Sequence, residues 1–199
     1  MIMMVGNDGD ERGRILAGMV RAAHNTDAVI IDNGLKSGIE QLASKRNVKL
    51  IGVSPETQIV YPTKNSTGDR IGELTPHSHI FTLGSKDYPC NWDDVVLFRL
   101  ELANRIRKGR GGPGSFHCKG VVVLVGDSPR CNYELKLAIK GNWPIIALRS
   151  SMMGEQLATD PSSISPEVNA AFNDGKIMLF EGNAEQFASA VHLYLTITF

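Results

Sequence analysis

Three short stretches place glycine beside groups that can hold a phosphate or a sugar: Gly6-Asn7-Asp8-Gly9, Asp32-Asn33-Gly34-Leu35-Lys36-Ser37-Gly38 and Gly126-Asp127-Ser128-Pro129-Arg130. Glycine lets a backbone approach a ligand closely, so that its amides can face oxyanions. Ser37 can cap a helix or hydrogen-bond a phosphate. Ser128 suits the residue before a helix and Pro129 its first position, and Arg130 adds a cation to the first turn. Asp32 and Asp127 repel phosphate. They can instead accept hydrogen bonds from ribose hydroxyls, or pair with the positive end of a helix dipole. Each stretch alone is also ordinary turn and capping chemistry. The three together point to a polar crevice of nucleotide size.

Other groups give weaker signals. His77-Ser78-His79 offers two imidazoles on an extended segment, but no third metal ligand lies nearby in sequence. Cys90, Cys118 and Cys131 form no CxxC pair, and a buried inert thiol is the commoner state of such residues. Gly109-Arg110-Gly111-Gly112-Pro113-Gly114 fits GxGxxG formally, yet it follows a helical pattern and precedes a strand, the reverse of the dinucleotide context. Arg105, Arg107, Lys108 and Arg110 read as a solvated helix end, because no aromatics interleave with them. No GxSxG elbow and no Walker lysine occur.

The elements that must position these stretches are legible as alternating patterns. Apolar runs at Ile2–Val5, Ala28–Ile31, Leu50–Val53, Val121–Val125, Ile145–Leu148 and Ile177–Phe180 suit strands buried on both faces. Helical stripes stand between them: Ile15, Leu16, Met19, Val20 and Ala23; then Ile39, Leu42 and Ala43; then Trp92, Val95, Val96, Leu102, Ala103 and Ile106. A last stripe, Phe187, Ala188, Val191, Tyr194 and Leu195, closes the chain. Such an order predicts an α/β fold: a Rossmann-like, doubly wound, mostly parallel sheet with helices on both faces. In that fold ligands bind beyond the carboxyl ends of the strands, where all three glycine stretches fall. Residues 54–78 form a long insertion, of a length usually tied to function.

With 199 residues the chain suits a single domain over residues 1–199. Lysine plus arginine, 21, equals aspartate plus glutamate, 21, so no net field draws it to nucleic acid or an anionic membrane. No apolar run is long enough for a membrane span, no signal-peptide pattern is present, and the cysteine usage fits a reducing, cytoplasmic setting.

Three segments in order carry a family resemblance: Ile30-Ile31-Asp32-Asn33-Gly34-Leu35-Lys36-Ser37-Gly38-Ile39, then Leu50-Ile51-Gly52-Val53-Ser54-Pro55-Glu56, then Leu74-Thr75-Pro76-His77-Ser78-His79. The set resembles the SLOG superfamily, and within it the branch found at the cytosolic N-terminus of melastatin-type TRP channels and in stand-alone microbial proteins. That branch has an aspartate-glycine-glycine turn with a later glycine, an LIGVAPEG-like segment and an L-x-P-N-H-[ST]-H-F-like segment. Asn33 stands at the second position of the turn here and, of the larger residues, tolerates a left-handed backbone well.

The resemblance implies a Rossmann-like domain that binds a nucleotide or an NAD-derived ligand such as ADP-ribose. The contacts it implies lie at Gly6, Asn7, Asp8 and Gly9; at Asp32, Asn33, Gly34, Ser37 and Gly38; and at Pro55 and Glu56. They continue at His77, Ser78 and His79, at Gly126, Asp127, Ser128 and Arg130, and at Arg149, Ser150 and Ser151. Arg130 or Arg149 would meet phosphates, and Asp32 or Asp127 a ribose. Distant members cleave nucleoside monophosphates with a Pro-Gly-Gly-x-Gly-Thr loop and a glutamate. The matching strand end here, Gly126 to Arg130 with Glu134 beyond it, lacks that loop. The expectation is therefore a ligand sensor that needs no added cofactor and performs no turnover. Its partners would be a nucleotide and, in an oligomer, further copies of itself. The alternative is a nucleotide-processing N-glycosidase or phosphohydrolase with Glu56, Glu134 or a histidine of the pair as general base. A third reading is a scaffold with a vestigial pocket.

Overall fold

The computed structural model describes residues 1–6, 13–60, 72–109, 118–126 and 129–196. Seven strands form one sheet: β1 (Ile2–Val5), β2 (Ile30–Asp32), β3 (Leu50–Pro55), β6 (His79–Leu83), β7 (Val121–Leu124), β8 (Ile145–Leu148) and β9 (Ile177–Phe180). Their order is β6-β3-β2-β1-β7-β8-β9, and every pairing is parallel. A separate two-stranded ladder joins β4 (Ile59–Val60) to β5 (Gly72–Glu73) inside the long insertion.

Strand side chains alternate between two apolar clusters, which is why the strands read as unbroken apolar runs. Ile2, Met4, Ile30, Val121, Val123 and Ile146 face α1 (Gly13–Asn25), α2 (Ile39–Lys45) and α7 (Ala184–Thr196). Met3, Val5, Ile31, Val122, Leu124 and Ile145 face α3 (Trp92–Lys108), α4 (Pro129–Lys140), α5 (Met152–Thr159) and α6 (Pro166–Asn173). The fold is the Rossmann-like, doubly wound α/β fold expected from the alternation of patterns.

Several local expectations are refined. The apolar run 28–31 becomes a strand two residues later, so that Asp32 is its last residue and is fully buried. The apolar runs of the sequence do not include β6, a short strand at the edge of the sheet whose Ile80 and Phe81 are apolar yet exposed. On α3 the apolar stripe also takes in Arg99, only 3% exposed. In the turn after β2 the left-handed residue is Gly34 (φ 73°), and Asn33 instead accepts the Leu35 N–H on its Oδ1 at 3.0 Å. Among the described residues no helix is long and apolar enough to cross a membrane.

Candidate functional site

The strand order sets the site. The turns after β2, β1, β7 and β8 leave four adjacent strands at the same end of the sheet. The crossover from β1 runs to β2 on one side, and that from β7 runs to β8 on the other, so β1 and β7 mark the topological switch. There the two strand ends touch backbone to backbone. A side chain on Gly6 would place its Cβ 2.3 Å from the Gly126 Cα and 3.1 Å from the Cys131 Sγ. Gly6 also holds φ 92°, a conformation that glycine takes freely. The Gly126 and Val125 amides both donate to the Val5 carbonyl, at 3.2 and 2.9 Å. The helices α1 and α4 are the next elements after β1 and β7. Asn7, Asp8, Gly9, Asp127 and Ser128 lie outside the described residues, as does the side chain of Arg130.

Beside the switch, the turn after β2 is built by packing. The register sets Asp32 opposite Gly52 in β3, and the missing side chain there leaves a notch in the sheet face that α2 covers. The backbone of Gly34 fills it, with its Cα 2.6 Å from where a Gly52 Cβ would stand, and His77 Cδ2 lies 3.3 Å from the same point. Thr75 N–H donates to the Gly34 carbonyl at 3.1 Å, and Leu35 and Leu74 form an antiparallel bridge. The Ser54 hydroxyl donates to the Asn33 carbonyl. Thus the second and third segments of the sequence pattern clamp the first.

His77 and Asp32 are the ionisable pair at the centre of this clamp. Asp32 Oδ1 accepts the Gly34 N–H at 2.8 Å and His77 Nε2–H at 2.8 Å, while His77 Nδ1–H donates to the Thr75 carbonyl at 2.9 Å. Both side chains are at most 1% exposed. Burial pulls the imidazole pKa down, but the Asp32 hydrogen bond and charge, the Thr75 carbonyl and the nearby Glu40 charge together raise it above its ordinary value. Two N–H donors on one ring are the doubly protonated, cationic form. Both ring nitrogens are committed, so His77 has no lone pair to act as a base in this arrangement. His79, by contrast, is exposed, so the two imidazoles do not share an environment. Among the described residues no group of three or more His, Cys, Asp or Glu is placed to hold a metal ion.

The remaining candidates divide. Ser37 is half-buried, and its Oγ meets no partner among the described residues. Gly38, at φ 85°, starts α2 with open space around its Cα. Pro55 ends β3 and Glu56 begins a single 3-10 turn, Glu56–Gln58. Ser78 accepts the Leu50 N–H on its Oγ at 3.2 Å. At the end of β8, Arg149 is half-exposed with its guanidinium 3.9 Å from Glu155, and Ser150 is exposed. Ser151 is buried and spent on structure: it caps α5 by accepting the Gly154 N–H at 2.9 Å and donates to the Leu148 carbonyl at 2.7 Å.

Glu134, a candidate base in the enzymatic alternative, is ion-paired with Arg99 between α3 and α4, and both side chains are less than 10% exposed. Sequence reasoning passed over Asp32's bond to His77, which joins residues 45 positions apart. It also left Arg99 unmarked, because a charge within an apolar stripe looks like the stripe's edge.

Comparison with known proteins places this geometry in context. Residues 9–188 match the model of the family described as SLOG in TRPM, prokaryote. No curated protein matches the chain in sequence. Among solved structures the chain is similar to the molybdenum cofactor carrier protein MCP from Chlamydomonas reinhardtii, with a TM-score of 0.56 and 14% identity over 98% of both chains. It is also similar to the molybdenum cofactor binding protein from the phototrophic bacterium Rippkaea orientalis. There the TM-score is 0.51 and the identity 14%, over 96% of this chain and 92% of that one. At such identity the likeness is one of fold. The family match spans the turn after β2, the end of β3 and the clamp residues Leu74 to His79, and the chain belongs to the SLOG in TRPM, prokaryote, family.

Proposed function

We propose that this protein binds a nucleotide or NAD-derived small molecule such as ADP-ribose at the carboxyl rim of its sheet and senses it without turnover. The observation that carries the reading is the contact of Gly6 with Gly126 at the switch between β1 and β7. A side chain on Gly6 would run into the Gly126 backbone, and α1 and α4 are the next elements after β1 and β7. Helix amino ends attract oxyanions through free amides and the helix dipole. In this reading Arg130 and Arg149 supply the cations that meet the phosphates. Asp32 is fully buried, and its Oδ1 is held by Gly34 and His77. Its role in this reading is to shape the turn; its second oxygen, Oδ2, is buried and meets no donor among the described residues. Binding a ground state needs no nucleophile or base, and two of the bases available to a hydrolase, His77 and Glu134, are engaged elsewhere. The three free cysteines fit a reducing, cytoplasmic compartment.

Calorimetric titration with ADP-ribose, cyclic ADP-ribose, NAD and AMP tests this. At least one should bind, and Arg130→Glu or Arg149→Glu should weaken it by about tenfold or more, the worth of a charge-assisted contact. Silence with all four counts against the reading. A fifth arm with molybdenum cofactor is warranted, since both similar structures are named for that group. Chromatography after long incubation should recover intact ligand; released base or ribose phosphate would favour the enzyme instead.

A further inference from the structure

A cleft of about 900 Å³ opens on the flank of the molecule, between α2 and the chain that leads into β6. Among the described residues its lining takes in Lys36 from the turn after β2, His77 and Ser78 from the clamp, and Asn47, Val48 and Leu50 at the amino end of β3. It thus shares the clamp with the candidate contacts but extends along α2 away from the carboxyl rim, and its volume lies within the range of roughly 300–1,000 Å³ that small-molecule sites occupy.

Four chemical features bear on its occupant. Ala43, Val48, Leu50 and Leu74, all buried, give it an aliphatic floor. Glu40 lines it at only 9% exposure, and its Oε2 meets no donor among the described residues. Lys36 and Lys45, both exposed, stand on its lining. His77 also borders it, with its positive charge facing Asp32 and both ring N–H groups already donated.

An unmet, buried carboxylate oxygen is costly until a donor reaches it. A purely apolar occupant would leave Glu40 unmet, a simple anion would be repelled by it, and a simple cation would face two lysines. A molecule that satisfies all three constraints carries N–H donors at its inner end, a ring face for the aliphatic floor and an anionic group at the mouth. We propose that this cleft is a second binding site, for an amino-bearing heteroaromatic ring with an anionic tail. Its amino group donates to Glu40, and its anion lies against Lys36 and Lys45.

The probe is 5′-AMP and the control purine riboside 5′-monophosphate, which lacks the amino group and has no N–H on that ring edge. Calorimetry on the full chain should find AMP bound about tenfold or more tightly than the control, as expected for a carboxylate that accepts from the amine. Glu40→Gln keeps the size of the side chain and adds an N–H donor, so it should erase or invert that preference. A merely structural Glu40 would not. Ser44→Trp, on the exposed face of α2 within the lining, should block both ligands while circular dichroism stays unchanged.

Equal affinities in the native chain, no binding of either ligand, or a preference that survives Glu40→Gln would overturn the assignment. Arg130→Glu separates this site from the rim: it should weaken ADP-ribose and leave the contrast between AMP and purine riboside 5′-monophosphate intact. Loss of the contrast in Arg130→Glu would put AMP at the rim and refute the cleft site. An unaltered ADP-ribose affinity would count against the rim alone.

Discussion

His77 ties its own segment to Asp32, 45 positions away, through Nε2, while Nδ1–H donates to the Thr75 carbonyl two residues before it. Its cationic form is favoured in the fold, so the clamp is tied to pH. The folded-state pKa lies above the ordinary value of 6.5. The pair's contribution is therefore complete below that value and fades as pH rises through the raised folded pKa. Urea midpoints measured from pH 6 to pH 9 should fall with pH in the native chain and flatten in His77→Gln. A midpoint that rises across this range would contradict the protonation scheme. Gly52 is the quiet partner of this arrangement. Gly52→Ala would drive a methyl group to 2.6 Å from the Gly34 Cα, and a cost of about 1–3 kcal/mol is expected for such overpacking. Denaturant unfolding should show that loss together with the disappearance of the pH slope, since the same methyl group displaces the imidazole.

At the scale of elements, α3 and α4 are joined by a charge pair under the sheet. Arg99 and Glu134 are buried together on facing helices. Removing one partner leaves an uncompensated charge, so Glu134→Ala should cost about 3–5 kcal/mol in urea unfolding. The double replacement Arg99→Met with Glu134→Leu removes both charges at similar volume and should recover most of that loss. If the single and double variants were equally unstable, the pair would not be what links the helices. Glu134 thereby belongs to the packing of α4, whose first turn leaves the rim, more than to any reaction. Other helix ends follow local rules: Asn91 caps α3 with a reciprocal bond to Asp94, and Ser165 caps α6 ahead of Pro166. The basic end of α3 is structural as well, with Arg105 paired to Glu101 and the Arg107 guanidinium 4.4 Å from the centre of the Trp143 ring.

For the whole molecule, the order of strands turns separate glycine turns into one rim. A ligand that binds only the folded chain stabilises it by mass action, by about 2.7 kcal/mol at a concentration one hundred times its Kd. For a domain of this size each kcal/mol shifts Tm by about 2–4 °C. A thermal scan with saturating ADP-ribose should therefore rise by about 5–10 °C in the native chain and much less in Arg130→Glu. A ligand shown by calorimetry to bind, yet leaving Tm unmoved, would have to bind the unfolded chain equally well. Within the cleft beside α2, AMP should raise Tm in the native chain and not in Ser44→Trp, which keeps the two sites separable by heat alone.

The sequence by itself determined the layered α/β fold, because apolar runs that alternate with amphipathic stripes can bury their faces in few ways. It also marked the strand-end turns, since glycine, aspartate and serine at those places have few other uses. Tertiary packing decided what those residues do. Asp32 looked like a free acceptor and is a buried partner of His77. Ser151 looked like a contact and is a helix cap. Arg99, which the apolar stripe of α3 does not single out, is locked to Glu134. These pairings, like the exposed strand β6 and the flank cleft, depend on contacts between residues tens of positions apart. Local pattern carries no record of such contacts until the sheet has brought the partners together.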